Sequence, residues 1–184
     1  MPDPLTTPRL TLRPWRDSDR LPVQAINADP RGMEFYPSTL TPQESDALIS
    51  RIEQHFALHG HGPYAAELIE TGTFIGYIGL YTPTFEAHFT PAVEIAWRLS
   101  ADYWGRGLAT EGALAVLQHA FHSLNLASLV SFTVPANLRS RRVMEKLGMT
   151  HDPADDFDHP LLPPGDALRR HVLYRISRED DVKK

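Results

Sequence analysis

The sequence predicts a domain of mixed α/β (α+β) class, a sheet with helices on both faces, and three observations lead there. Strand-like alternation and helical periodicity succeed one another along the chain, ending in strand-helix alternation. A turn carrying Gly105 and Gly107 joins a strand-like run to a strongly helical one. The 184 residues, 42% of them hydrophobic, suffice for one well-buried core and are short for two, so residues 1–184 read as a single domain.

The elements follow in chain order. Leu5 to Trp15 alternates imperfectly, and Pro8 and Pro14 place it as a first strand near an edge. Asp17 to Ala28 reads as a short helix ending before Asp29-Pro30. Thr41-Pro42-Gln43-Glu44 combines an N-cap, a first-turn proline and a capping-box glutamate. Leu48, Ile49, Ile52 and Phe56 then form an apolar stripe, and Gly60 stops the helix. Tyr64 to Glu70 and Phe74 to Tyr81 flank Thr71-Gly72-Thr73 as a hairpin. Ala92 to Leu99 is the fourth strand; after the glycine turn, Leu114, Leu117, Phe121 and Leu124 share a helical face, with Asn125 suited to the left-handed terminating conformation. The fifth strand lies between Leu126 and Pro135, Asn137 caps a helix over Leu138 to Leu147 that Gly148 closes, and Arg170 to Ile176 is a last strand.

Composition narrows the function classes. A formal charge of −5 and a pI near 6.0 give no general pull toward nucleic acid or an anionic membrane. Without cysteine there are no disulfides, thiolate metal sites or acyl-cysteine intermediates. The N-terminus lacks the regions of a signal peptide and no apolar run approaches a membrane span, so a soluble cytoplasmic protein is expected. His55, His59 and His61 lack the glutamate of a His-Glu-x-x-His site, and the Asp155, Asp156, Asp158 cluster lacks the glycine and terminal glutamate of a calcium loop. No metal is expected.

The glycine turn is the chemical focus. Unpaired N–H groups at the start of a helix, unshielded by side chains and helped by the helix dipole, form an anion site suited to a pyrophosphate; an ordinary tight connection is the other reading. A P-loop is absent. A dinucleotide fingerprint needs Gly or Ala where Thr110 stands and an acidic residue after the next strand, and finds neither.

Trp104-Gly105-Arg106-Gly107-Leu108-Ala109 resembles the acyl-CoA pyrophosphate loop of the GNAT superfamily of N-acetyltransferases. Tyr103 to Glu111, Tyr-Trp-Gly-Arg-Gly-Leu-Ala-Thr-Glu, is similar to the RimJ/RimL branch, and so is Asn137-Leu138-Arg139-Ser140-Arg141-Arg142-Val143-Met144-Glu145-Lys146-Leu147-Gly148-Met149. The opening Thr7 to Pro14 differs from the branch chiefly at Pro8. The resemblance implies the GNAT fold: a central, mostly antiparallel sheet whose parallel fourth and fifth strands splay apart around acetyl-CoA. It implies that the amides of Arg106, Gly107, Leu108, Ala109 and Thr110 hold the pyrophosphate, with Arg106 adding charge and Thr110 a hydroxyl. The strand edge Ala96, Trp97, Arg98 and Leu99 would pair with pantetheine amides, and Asn137 and Arg142 would reach the cofactor.

For the transfer itself, Asn137, Ser140 and Met144 share a helical face. Met144 stands where the commoner superfamily pattern has a proton-donating tyrosine, so Ser140 becomes the candidate acid, with Asn137 orienting a water or the cofactor; a plain first-turn serine is the alternative. Glu94 is the leading base, its strand running into the turn, although it can equally be structural. Phe35 and Tyr36, in the region that forms an acceptor wall in relatives, are candidate substrate residues. Asp156, Asp158 and His159, in the acidic segment 152–160, are candidates for attracting or deprotonating a cationic amine, against the reading of a solvated proline-rich loop. Arg141 and Glu145 are placed to form an i, i+4 surface pair. The expected activity is acetyl transfer to a primary amine, either a protein N-terminal α-amine or a small amine or antibiotic, with a homodimer allowed. A non-catalytic acyl-CoA sensor is the reading from a different class.

Overall fold

The computed structural model describes residues 2–181. The chain forms two compact units, Met1–Tyr81 with Ala96–Val116, and Thr82–Ile95 with Leu117–Lys184. The mixed α/β class expected from the sequence is what is found.

The first unit holds β1 (Leu5–Thr6), β2 (Leu10–Arg13), α1 (Arg20–Ala28), α2 (Pro42–His59), β3 (Pro63–Leu68) and β4 (Phe74–Tyr81). It continues with β5 (Glu94–Leu99) from Ala96 and the first turns of α3 (Leu108–Gln118). Its strand order is β1-β2-β3-β4-β5, antiparallel from β1 to β4. The expected single first strand is instead a tight hairpin. The Thr7 N–H donates to the Leu10 carbonyl at 2.9 Å and the Leu10 N–H to the Thr7 hydroxyl at 2.8 Å, closing a turn around Pro8. Pro8 therefore bends the chain rather than weakening a ladder, and β2, paired on both sides, can bury Leu10 and Leu12 completely. Arg13 is also buried, its Nη1 and Nη2 each 2.8 Å from Asp19 and its Nε and Nη2 each 2.8 Å from Glu67.

The start of α2 is built as its sequence indicates. The Glu44 N–H donates to Thr41 Oγ1 at 3.2 Å, and Glu44 Oε2 accepts the Thr41 N–H at 2.8 Å. Gly60 ends the helix at φ 73°. Two of the otherwise orphaned donors are thereby satisfied, so Thr41→Ala is expected to cost about 1 kcal/mol and lower Tm by about 2–4 °C in a calorimetric scan.

The second unit holds the start of β5, β6 (Ser128–Thr133), α4 (Leu138–Lys146), β7 (Thr150–His151), β8 (Phe157–Asp158), β9 (Arg170–Ser177) and α5 (Arg178–Asp181). Strands run β5-β6-β9-β7, with β8 also on β9. Because the first expected strand divides in two, the expected fourth and fifth strands are β5 and β6. Their parallel pairing sets Glu94 opposite Val130, with the Val130 N–H donating to the Val93 carbonyl at 2.9 Å. β6 then runs antiparallel to β9 from Ser128–Ser177 to Thr133–Val172. The helix beginning at Leu108 passes into a π-helical turn, His119–Ser123, and Asn125 takes the left-handed conformation at φ 55°, as expected of it. The core of this unit gathers Phe89, Val130, Phe157 and Leu173, with Phe85 and Phe132 packed against it. The acidic segment is not a free solvated loop. Phe157 is drawn into that core, and the segment is held by the pairing of β7 with β9 just before it and of β8 with β9 within it.

Candidate active site

Each unit contributes its own group of candidate residues. In the first, β5 ends at the buried Leu99, whose carbonyl accepts the Trp104 indole N–H at 2.9 Å. That bond pins the aromatic residue before the bend. Gly105 and Gly107 then adopt φ 74° and 77°, a region that side-chain-bearing residues rarely enter. The first helical N–H with a protein acceptor is that of Glu111, bonded to the Gly107 carbonyl at 3.0 Å; among the described residues, those from Gly105 to Thr110 have none. A Cβ built on Gly107 would meet only Arg9 Nη2, at 3.7 Å, so the space over the bend is open. Free donors at a helix start with open space above them fit a phosphate.

The side chains around this bend differ from the sequence expectation in one respect. Arg106 curls back, its Nη2 donating to the Asp102 carbonyl at 3.0 Å and its guanidinium lying 5.1 Å from the Tyr103 ring. Arg9, which sequence reasoning missed, supplies the second cation: its Nη1 reaches the Arg106 carbonyl at 3.0 Å. Glu111 holds it there, accepting Arg9 Nε at 2.7 Å and the Arg9 N–H at 2.8 Å, as well as the Thr7 hydroxyl at 2.6 Å. Burial opposes ionisation of Glu111, but Thr7 and Arg9 outweigh it and hold the carboxyl below its ordinary range. The available signal was the pairing of an arginine in the opening strand with the glutamate that closes the glycine motif.

Along β5, Ala96, Trp97 and Arg98 are half-buried while Leu99 is in the core. Arg98 sends its side chain to α1, where Nη1 donates to Asn27 Oδ1 at 2.8 Å, and Tyr36 covers its guanidinium at 4.1 Å from the ring centroid. Tyr36 is 42% exposed and Phe35 half-buried.

In the second unit, residues in register across a strand pair share a face, so Glu94 leaves the sheet on the side of Val130 and its cluster. Its carboxyl has no hydrogen bond or ion pair among the described residues. The side chain keeps a little solvent contact yet is surrounded by protein, and this burial pushes its pKa up to about 8. Asn137 caps α4, accepting the Ser140 N–H at 3.2 Å and donating Nδ2 to Thr133 Oγ1 at 3.0 Å. The Ser140 hydroxyl is half-buried and engages no protein partner among the described residues. Met144 is 1% exposed and belongs to the core. Arg142 is exposed at the surface of α4.

Arg141 and Glu145 do not pair with each other as the helical spacing suggested. Tyr174 stands between them, its hydroxyl accepting Arg141 Nε at 3.2 Å and donating to Glu145 Oε1 at 3.2 Å. The tertiary fold supplies a closer partner than the next helical turn. Asp156 is engaged by His151 Nε2 at 2.7 Å, and the exposed Asp158 lies 3.4 Å from Arg169 and 3.5 Å from Arg170. His159 packs among rings, 4.6 Å from Phe85 and 5.1 Å from His171, and burial holds its pKa below the usual value. Its Nδ1 accepts the Leu161 N–H at 3.3 Å, so the neutral ring carries its proton on Nε2 and offers no lone pair there. His171 is the opposite case and was not singled out from sequence. Its Nδ1 donates to the Arg169 carbonyl at 3.1 Å, leaving Nε2 as an acceptor, and burial lowers its pKa. Nothing in a terminal strand marks it in advance.

Among the described residues no group of three or more His, Asp or Glu is arranged to hold a metal, and no helix is long and apolar enough to cross a membrane. The first unit carries an open glycine bend whose free N–H groups suit a phosphate, and the second carries an unpaired carboxyl of raised pKa and a hydroxyl without a protein partner among the described residues.

Comparison with known proteins agrees. Residues 9–150 match the Acetyltransferase (GNAT) domain family. The FsC-acetyl coenzyme A-N(2)-transacetylase of Aspergillus fumigatus is 31% identical over 189 residues, covering 96% of this chain and 77% of that protein. The crystal structure of an acetyltransferase from Agrobacterium tumefaciens is similar at a TM-score of 0.77 and 33% identity, over 96% of this chain and 95% of that one. Mycobacterium smegmatis RimJ, solved in complex with CoA-disulfide, shares the fold at a TM-score of 0.75 and 24% identity, over 97% and 87%. With a matching glycine bend, a parallel β5–β6 pair in an otherwise mostly antiparallel arrangement and a family match over most of its length, the chain belongs to the GNAT family of N-acetyltransferases.

Proposed function

We propose that the protein works as one GNAT domain transferring the acetyl group of acetyl-CoA directly to a primary amine, with a RimJ/RimL-like sequence and a protein N-terminal α-amine or a small amine as acceptor. The observation that carries this reading is the run of unbonded N–H groups from Gly105 to Thr110. The name of the 31% identical fungal relative supports acetyl-CoA as donor.

The roles follow from the chemistry of each group. The amides from Arg106 to Thr110, with Arg9 and Arg106 beside them, hold the pyrophosphate. Bound acetyl-CoA supplies an activated acetyl thioester. The β5 edge from Ala96 to Leu99 aligns it by backbone hydrogen bonds and offers an N–H to the developing oxyanion. Glu94 takes a proton from the acceptor ammonium; a carboxyl with pKa about 8 matches an α-amine, whose ordinary pKa is also about 8. Ser140 donates to the departing sulfur, and Asn137 fixes the helix turn that presents it.

The thiolate is a good leaving group, with an ordinary pKa of about 8.5, so help from Ser140 is worth less than help from a base. Ser140→Ala is expected to lower kcat about tenfold with little change in the acceptor KM, read from continuous CoA release. The reading as a whole is tested by CoA release against panels of N-terminal peptides and small amines. Turnover on any of them supports it. Tight acetyl-CoA binding with no turnover on either panel favours a sensor, the reading to which Met144 at the tyrosine position points.

A further inference from the structure

Among the described residues of the first unit, Arg13 is buried and Arg98 is half-buried with its Nε shut away from solvent, and the two guanidinium groups are treated differently. Arg13 is neutralised twice over, by Asp19 and Glu67. Arg98 has no carboxylate partner among the described residues. Its Nη1 is used by Asn27 Oδ1 at 2.8 Å, and its Nε is buried with no acceptor at all. Asn27 is itself fixed, fully buried on α1 with its Nδ2 3.2 Å from Ser45 Oγ. The remaining company is aromatic: Tyr36 at 4.1 Å and Tyr77 at 5.5 Å from the guanidinium carbon to the ring centroid. Burial pushes Tyr77 up to about 12, Arg98 pulling the other way, so its phenol is neutral at physiological pH and provides no counter-ion.

A cation taken out of water without an anion is costly, and quadrupole attraction to ring faces offsets only part of that cost. Asn27 holds one arm of the fork, and the Nε edge is the side on which a carboxylate docks side-on. The ring over it is the exposed Tyr36, which belongs to the turn-rich segment between α1 and α2. That segment is tied down at Arg31, 2.7 Å from Asp29 and 3.0 Å from Asp102, at the buried Met33, whose carbonyl accepts the Tyr36 N–H at 3.0 Å, and at Leu40, whose N–H donates to the Asn27 carbonyl at 2.9 Å, so the backbone is held on both sides of Tyr36 while its side chain stays exposed.

We propose that Arg98, aligned by Asn27 and covered by Tyr36, binds a carboxylate carried by the acceptor, so that the preferred acceptors are amines bearing a carboxyl group, free amino acids among them. This rests on the reading of the chain as an amine acetyltransferase and narrows its acceptor class. The ligand supplies to Arg98 what Asp19 and Glu67 supply to Arg13.

The test compares an amino acid with its primary amide, and a dipeptide amide beginning with glutamate with one beginning with glutamine. A charge-assisted bidentate contact predicts kcat/KM higher by about tenfold or more for the carboxylate member of at least one pair. A preference in the first pair assigns the α-carboxylate, and in the second a side-chain carboxylate of a peptide. In Arg98→Met, which keeps the apolar stem, the ratio within the preferred pair should fall toward one. Equal kcat/KM within both pairs of the wild-type enzyme overturns the inference while leaving acetyl transfer standing. Absence of turnover on every amine counts against acetyl transfer instead. Calorimetric binding of the acetylated amino acid against its amide then decides the Arg98 site, tighter binding of the acid supporting it and equal binding overturning it.

Discussion

Gly107→Glu is expected to weaken CoA binding at least about 100-fold while the chain stays folded. Two or more hydrogen bonds to a charged phosphate are at stake, each worth about 1.5–3 kcal/mol, and the new carboxylate adds repulsion in the same space. The folding cost is smaller. A side-chain-bearing residue at φ 77° costs about 1–2 kcal/mol, against a typical domain stability of about 5–15 kcal/mol. The nearest atom to the added Cβ is Arg9 Nη2, at 3.7 Å, which leaves room without a clash. Gly107→Ala carries the same backbone strain without the charge, so it separates the two effects. Calorimetric titration with CoA should rank wild type above Gly107→Ala and both far above Gly107→Glu. A Gly107→Glu protein that binds within threefold of wild type would show that the diphosphate lies elsewhere.

Glu94→Gln is expected to lower kcat by about 10²–10⁴, the usual loss when a positioned base is removed. Glu94 is mostly protonated below its pKa of about 8, so wild-type kcat should rise with pH and level off above that value. The rising limb attributable to Glu94 should vanish in Glu94→Gln, leaving only the limb of the acceptor amine. Stability supplies a second reading. Folding raises this carboxyl from its ordinary 4.5 to about 8, so between those values the folded state keeps a proton that the unfolded chain releases. Its contribution to stability is full below pH 4.5, falls as pH rises and is lost above about 8. Glu94→Gln cannot ionise, so denaturant unfolding from pH 5 to 9 should show a shallower decline than wild type. A shallower decline with unchanged kcat would make Glu94 a structural residue and direct attention to His171, whose Nε2 is left as an acceptor.

The glycine bend and both helix caps could be read from local sequence because their causes are local. Gly105 and Gly107 are needed for positive φ, Thr41 and Glu44 satisfy each other within one helical turn, and Asn137 caps the helix it begins. The Pro8 hairpin was harder, since its closure depends on the Thr7 hydroxyl and the same residues also alternate like a strand. The segment 152–160 looked solvated by composition, and a single buried ring, Phe157, reversed that.

What the sequence by itself determined was the order of the main helices and strands, the glycine bend and the family, because each is written in residues a few positions apart. The tertiary structure alone decided the raised pKa of Glu94, the anchoring of Arg9 by Glu111 and the lack of a carboxylate partner for Arg98 among the described residues. Those depend on which groups share a low-dielectric neighbourhood, and residues such as Arg9 and Glu111 meet only when the chain has folded.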